Sequence, residues 1–145
     1  MANLSLVTAD KINVGTSGPN DQHTFVAGGT SQAAAPFYIN GTDGKAYPAA
    51  DGTGTNSTGV WGLATKAVKA AGEPVTLIRR GILDGLDLSG MSYGGSVYLS
   101  TTSGRLADAS PGTNGAIIKV GEVLPAYAVP LGTSPDKLLK VEVTD

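Results

Sequence analysis

The sequence predicts an all-β fold, and three observations carry that expectation. Glycine supplies 21 residues and proline 8, about a fifth of the 145-residue chain, where roughly 12% is usual. So many chain breakers exclude long helices. Charged residues make up 15% and apolar residues 41%, too little charge and too much hydrophobic surface for a chain disordered throughout. Third, the apolar residues fall in short runs bounded by turn dipeptides, the pattern of strands joined by tight turns. The length suits one domain, because two independent cores would be hard to fit.

The first 35 residues show no sustained period. Leu4, Leu6 and Val7, then Ile12 and Val14, are short apolar patches among Asn, Ser, Thr and Asp, and residues 15–20 and 28–32 read as loops. Such a segment cannot bury much of itself, so residues 1–35 are expected to form an N-terminal arm and residues 36–145 a β-rich domain. Phe37-Tyr38-Ile39 reads as a strand, Asn40-Gly41 and Asp43-Gly44 as turns, and Lys45-Ala46-Tyr47 as the returning strand. Residues 51–59 are polar and Gly/Thr-rich, an exposed loop.

Val60 to Val68 opens the best-defined part. A turn over residues 69–73 leads to a β-rich run from Pro74 to Leu83; further strands are expected over residues 96–100, 116–120 and 121–124. At the C-terminus Leu139, Val141 and Val143 alternate with Lys140 and Glu142, a half-buried strand. Only residues 64–71 are compatible with a helix of more than one turn.

One internal likeness runs without gaps. Residues 36–49 align on residues 96–109, with Tyr38/Tyr98, Thr42/Thr102, Gly44/Gly104 and Ala49/Ala109 identical and Lys45/Arg105 similar. Pro74 to Gly81 repeats the form one residue shorter. Each copy reads as an apolar strand, a polar tip and a glycine where positive φ is cheap. Both hairpin chemistry used repeatedly and duplication account for it.

Several function classes are disfavoured. The net charge is −2 with no basic stripe, which argues against nucleic acid and against an anionic membrane as partners. With no cysteine, neither a disulfide framework nor a thiolate metal site is available. The N-terminus lacks the basic and apolar regions of a secretory signal. The long uncharged stretch from Leu88 to Gly104 is too rich in Ser and Gly to span a membrane.

Nucleophilic catalysis needs a base, and His23 is the only histidine, with no Gly-x-Ser-x-Gly elbow in the chain. Asp84 and Asp87 lack the oxygen-rich loop a hard cation requires and read as turn carboxylates. Asp43-Gly44-Lys45 misses the spacing of a phosphate loop. Gly72-Glu73 and Gly121-Glu122 read as strand-entry turns. Trp61, Tyr93, Tyr98 and Tyr127 read first as packing residues and second as a sugar platform. The expectation is therefore a protein without catalysis, cofactor or metal.

The order of segments from Val60 onward carries a resemblance. Val60-Trp-Gly-Leu-Ala64, Ala70-Ala-Gly-Glu-Pro-Val-Thr-Leu77, Gly81, Gly95-Ser-Val-Tyr-Leu-Ser100, Gly104-Arg-Leu106, Val120-Gly-Glu-Val-Leu124 and Lys137-Leu-Leu-Lys-Val-Glu-Val143 follow one another. Together they resemble the capsid decoration (cement) proteins of tailed bacteriophages, over roughly residues 60–143. The Gly/Thr-rich 51–59 segment departs from that pattern. The resemblance implies a small β-barrel or β-tulip-like domain on the outer surface of the virion capsid. It also implies a homotrimer, made in the bacterial host cytoplasm, whose N-terminal arm reaches onto the major capsid protein.

On that reading Leu4, Leu6, Val7, Ile12 and Val14 are the expected capsid-binding residues, docking by strand addition. The alternative is that they close the domain's own sheet. A second function hypothesis is a carbohydrate- or receptor-binding β module of a head fibre or tail appendage. Exposed aromatics at a loop-built pocket would favour that hypothesis.

Overall fold

The structure is a computed structural model that describes residues 3–7, 12–15, 20–50, 59–110, 118–125 and 137–143. The expected 51–59 loop falls almost wholly outside the described residues, as do Tyr127 and the first two residues of the 116–120 strand. Among the described residues the strands are, in chain order, β1 (Asn13–Val14), β2 (Asp21–Val26), β3 (Pro36–Ile39), β4 (Ala46–Pro48) and β5 (Gly62–Ala64). They continue as β6 (Pro74–Asp84), β7 (Ser96–Leu99), β8 (Leu106–Ala107), β9 (Lys119–Pro125) and β10 (Lys137–Glu142).

The protein is all-β, as its glycine, proline and apolar patterning require, and its antiparallel sheet curls into a half-barrel. No helix forms over residues 64–71: Ala64 ends β5, and bends and a turn follow. Gly72 takes φ +96° there, a conformation that ends any helical path.

Strand order is β4-β3-β5-β6-β10-β9-β7-β8, with β1 and β2 also paired to β6. The order mirrors itself about the β6–β10 pair, so that β4-β3-β5-β6 is matched by β8-β7-β9-β10. That mirror is the structural counterpart of the 36–49/96–109 likeness. In the first hairpin the Asn40 N–H donates to Lys45 O (2.9 Å), and in the second the Ser100 N–H donates to Arg105 O (3.1 Å). The Thr42 N–H meets Asn40 Oδ1 at 2.8 Å, and the Thr102 N–H meets Ser100 Oγ at 3.0 Å. Gly44 and Gly104 close the tips at φ +72° and +74°, a region that costs glycine little. The third expected copy differs. Arg79 and Arg80 are no hairpin tip, because Pro74 to Asp84 is one continuous strand.

β6 is the spine. Both β2 and β5 pair with Leu77 and Ile78, while β1 and β10 both pair with Leu83, so each half of β6 has a neighbour on either edge. Its register against β2 jumps from Gln22↔Ile78 to Asp21↔Arg80, skipping Arg79. In a strict two-residue period Ile78 and Leu83 would face opposite ways. The extra residue restores a common face, and both join the larger core with Val97, Leu99, Val120, Leu139 and Val141. Val75 and Leu77, on the other face, anchor the smaller core with Phe37, Ala64 and Val68.

The described strands and bridges before Pro36 belong to the same sheet. Residues 3–7, 12–15 and 21–26 follow β6 and its continuation in antiparallel order: Leu6 opposite Leu86, Asn13 opposite Asp84, Val26 opposite Pro74. At both ends this segment also reaches the outermost strand of each half. Asn3 bridges to Ala107 of β8, and Ala27 bridges to Ala46 of β4. The open margins of the curled sheet are thereby tied together, which shields edges that would otherwise recruit other chains.

A strap that seals the sheet: the candidate docking surface

Residues 3–7 lie between two backbone edges. On one side the Leu4 N–H donates to Leu106 O at 2.8 Å; on the other the Val7 N–H donates to Gly85 O and the Asp87 N–H to Ser5 O, each at 2.8 Å. Alternation along an extended strand produces this two-sided pattern, since successive residues present their polar groups to opposite edges. A side-chain network reinforces the first edge. Asn3 Nδ2 donates to Thr102 Oγ1 (3.1 Å), and Arg105 Nη2 donates to Leu4 O (2.9 Å). The Ser100 hydroxyl, the one fully buried polar side chain among the described residues, donates to Asn3 Oδ1.

The five expected capsid-binding residues divide accordingly. Leu4 is buried in the larger core, and Leu6, Ile12 and Val14 pack against that core. All four thus lie against this chain's own core, with Leu6 bridged to Leu86 and Val14 paired with Leu83. Apolar side chains spaced by polar ones can be buried when an existing edge supplies the backbone partners, and β6 and β8 do so here. Val7 differs, with 72% of its surface exposed. Arg105 and Ser100, which hold the segment, were not singled out as contacts from sequence. Their alignment with Lys45 and Asn40 of the first hairpin was the available signal.

An aromatic cluster lies beside β2. The His23 and Phe25 ring centroids are 4.7 Å apart, Phe25 meets Trp61 edge-on at 5.1 Å, and the Arg79 guanidinium sits 5.4 Å from the Trp61 ring centre. Phe25 and Trp61 are half-buried against the smaller core, while His23 is exposed. The neighbours of His23 in this cluster are rings, an arrangement of packing. Among the described residues no group of three or more His, Asp or Glu side chains could hold a metal ion.

Two carboxylates are tuned by turn geometry. The Lys45 backbone N–H (3.0 Å) and the Tyr47 hydroxyl (2.7 Å) both donate to Asp43. They hold its carboxyl below the usual range and, reciprocally, push the Tyr47 phenol up. The Ser89 hydroxyl and N–H lower Asp87 in the same way. Both acids serve local turns, as their sequence context implied. A shallow depression of about 220 Å³ on the outer face of β9 and β10 is lined by Lys119, Glu122, Lys140 and Glu142 around Gly121. Its charges are mixed, and Lys140 pairs with Glu142 at 3.5 Å.

No family model matches the chain, and no curated protein or solved structure was found to be similar to it.

Proposed function

We propose that this chain is a non-catalytic capsid decoration protein, binding outside an expanded phage head as a homotrimer and clamping neighbouring major capsid proteins. The observation that carries the reading is where the resembling segments fall. They are not scattered over the fold. They supply β5, β6, β10, β9, β7 and β8, which are consecutive neighbours in the sheet. The likeness thus follows one contiguous run of six strands.

Packaged DNA pushes capsomers apart, and a clamp across their seams must break before they separate. Each contact loses conformational entropy on ordering, so a single one is weak. Three contacts on one trimer act at high effective concentration and become durable. Val7 is the expected docking residue that already faces solvent; docking through Leu4 or Leu6 requires them to leave the core.

Sedimentation with expanded, DNA-free capsids of the encoding phage tests the proposal. Saturable co-sedimentation is expected, and Val7→Asp is expected to weaken it while leaving the thermal transition unchanged. If the full chain fails to bind, the cement reading fails for that capsid. The carbohydrate-binding alternative draws on the His23–Phe25–Trp61 cluster. A sugar needs an open aromatic face, however, and Phe25 and Trp61 meet edge-on and pack against the smaller core. A glycan array separates the two readings.

A further inference from the structure

The seat of residues 3–7 has properties of its own, apart from what fills it in this chain. Its two walls are backbone edges, Leu106 O on one side and Gly85 O with the Asp87 N–H on the other. Only another extended backbone can satisfy both at once. Its floor is apolar, with Leu86 and Leu106 in the same core as Leu4.

At its rim stands Arg105. One guanidinium nitrogen, Nη2, donates to Leu4 O. Its Nε is buried and has no hydrogen-bond partner among the described residues. Residues 3–7 are Asn-Leu-Ser-Leu-Val and bring no charge to it. A buried, unmet donor on a charged group is costly. The Nε and Nη2 edge of a guanidinium matches the two oxygens of a carboxylate. At the equivalent position of the first hairpin Lys45 is exposed to solvent, whereas Arg105 is half-buried, so the partly covered cation is particular to this seat.

We propose that this seat is a strand-acceptor site, and that its second occupant is an extended segment of a partner protein carrying a carboxylate next to the apolar residue that replaces Leu4. Residues 3–7 occupy the site in cis until that segment displaces them. The partner's carboxylate takes both Arg105 nitrogens, its backbone takes the two edges, and its apolar side chain takes the Leu4 pocket. The site stands independently of the capsid reading, since neither its walls nor its charge depends on which protein supplies the strand.

The test uses the full chain, which has no native cysteine. Asn3 and Ala107 face each other as a bridge pair flanked by the Leu4 N–H to Leu106 O bond, a geometry within disulfide reach. Asn3→Cys with Ala107→Cys therefore locks the segment in place when oxidised and frees it when reduced. Two fluorescent peptides are titrated by anisotropy: Ala-Asn-Leu-Ser-Leu-Val, and the same with Asp for Ser.

The acidic peptide is expected to bind the reduced protein at least about tenfold more tightly than its parent, and to lose binding on oxidation. Arg105→Gln is expected to abolish the preference, and Arg105→Lys, which keeps charge without the fork, to reduce it. Should the Arg105 variants fail to fold, the reduced and oxidised comparison still decides. Equal binding of the two peptides, no saturable binding, or binding that survives the lock would each overturn the proposal. So would oxidation to disulfide-linked oligomers, which would make a second copy of this chain the occupant.

Discussion

Asp43 illustrates how much a single turn residue contributes here. Its carboxylate accepts from the Lys45 N–H and the Tyr47 hydroxyl, and its pKa is lowered as a result. A lowered folded-state value means that its stabilisation is complete above the ordinary carboxylate value of about 4. That stabilisation is lost as pH falls through the lowered folded value. Carboxyl NMR titration should place the Asp43 midpoint below the ordinary value, and Tyr47→Phe should move it back up. Tyr47 has the opposite sign. Its raised value stabilises the fold below the ordinary phenol value of about 10 and is lost as pH rises through the raised one.

Gly62 acts at the same scale through its missing side chain. A Cβ there would sit 2.6 Å from Ile78 O, a backbone atom that cannot turn aside. Gly62→Ala should therefore destabilise by about 1–3 kcal/mol, the usual cost of overpacking, measured by urea unfolding.

At the scale of elements, the segment before Pro36 separates what two nearby apolar residues do. Leu4 is 6% exposed and Val7 72%. Leu4→Ala should cost roughly 2–5 kcal/mol, as for other core leucines, whereas Val7→Ala should stay within about 0.5 kcal/mol. Denaturant midpoints of the two variants decide it. Equal, small effects would remove Leu4 from the core and return it to a free arm.

The hairpins were the most legible elements, because turn chemistry is local. Asn40 to Lys45 and Ser100 to Arg105 carry their own closing bonds and their own glycine. β6 was less legible. Its Arg79-Arg80 pair has the composition of a tip, yet the strand runs through it. The reason is the skipped residue in its register, which depends on a partner strand more than fifty residues away. Residues 64–71 misled for a related reason: Ala and Lys favour helix weakly, and pairing of Ala64 with Leu77 outweighs that preference.

For the whole molecule, the consequence is that closure depends on the N-terminal segment. Residues 3–7 tie β8 to the continuation of β6, and Ala27 ties β4 to the segment's other end. Deleting residues 2–7 should lower stability by roughly 4–9 kcal/mol, combining the lost Leu4 burial with three lost backbone bonds. Amide exchange should rise at Asp87 in particular, whose N–H loses the Ser5 carbonyl as its acceptor. If protection there is unchanged, the segment does not seal the sheet.

The sequence alone determined the strand character of this protein, its hairpins and its two-copy pattern, because alternation and turn residues act over a few positions. The absence of cysteine and of a basic stripe narrowed its chemistry for the same reason, being readable residue by residue. Only the tertiary structure decided where residues 3–7, 12–15 and 20–26 go and which of their apolar residues are covered. Asn3 and Ala107 are neighbours through the curl of the sheet, and no local period records that an edge is waiting so far along the chain. Whether an isolated Leu among polar residues is a free contact or a core residue depends on that edge.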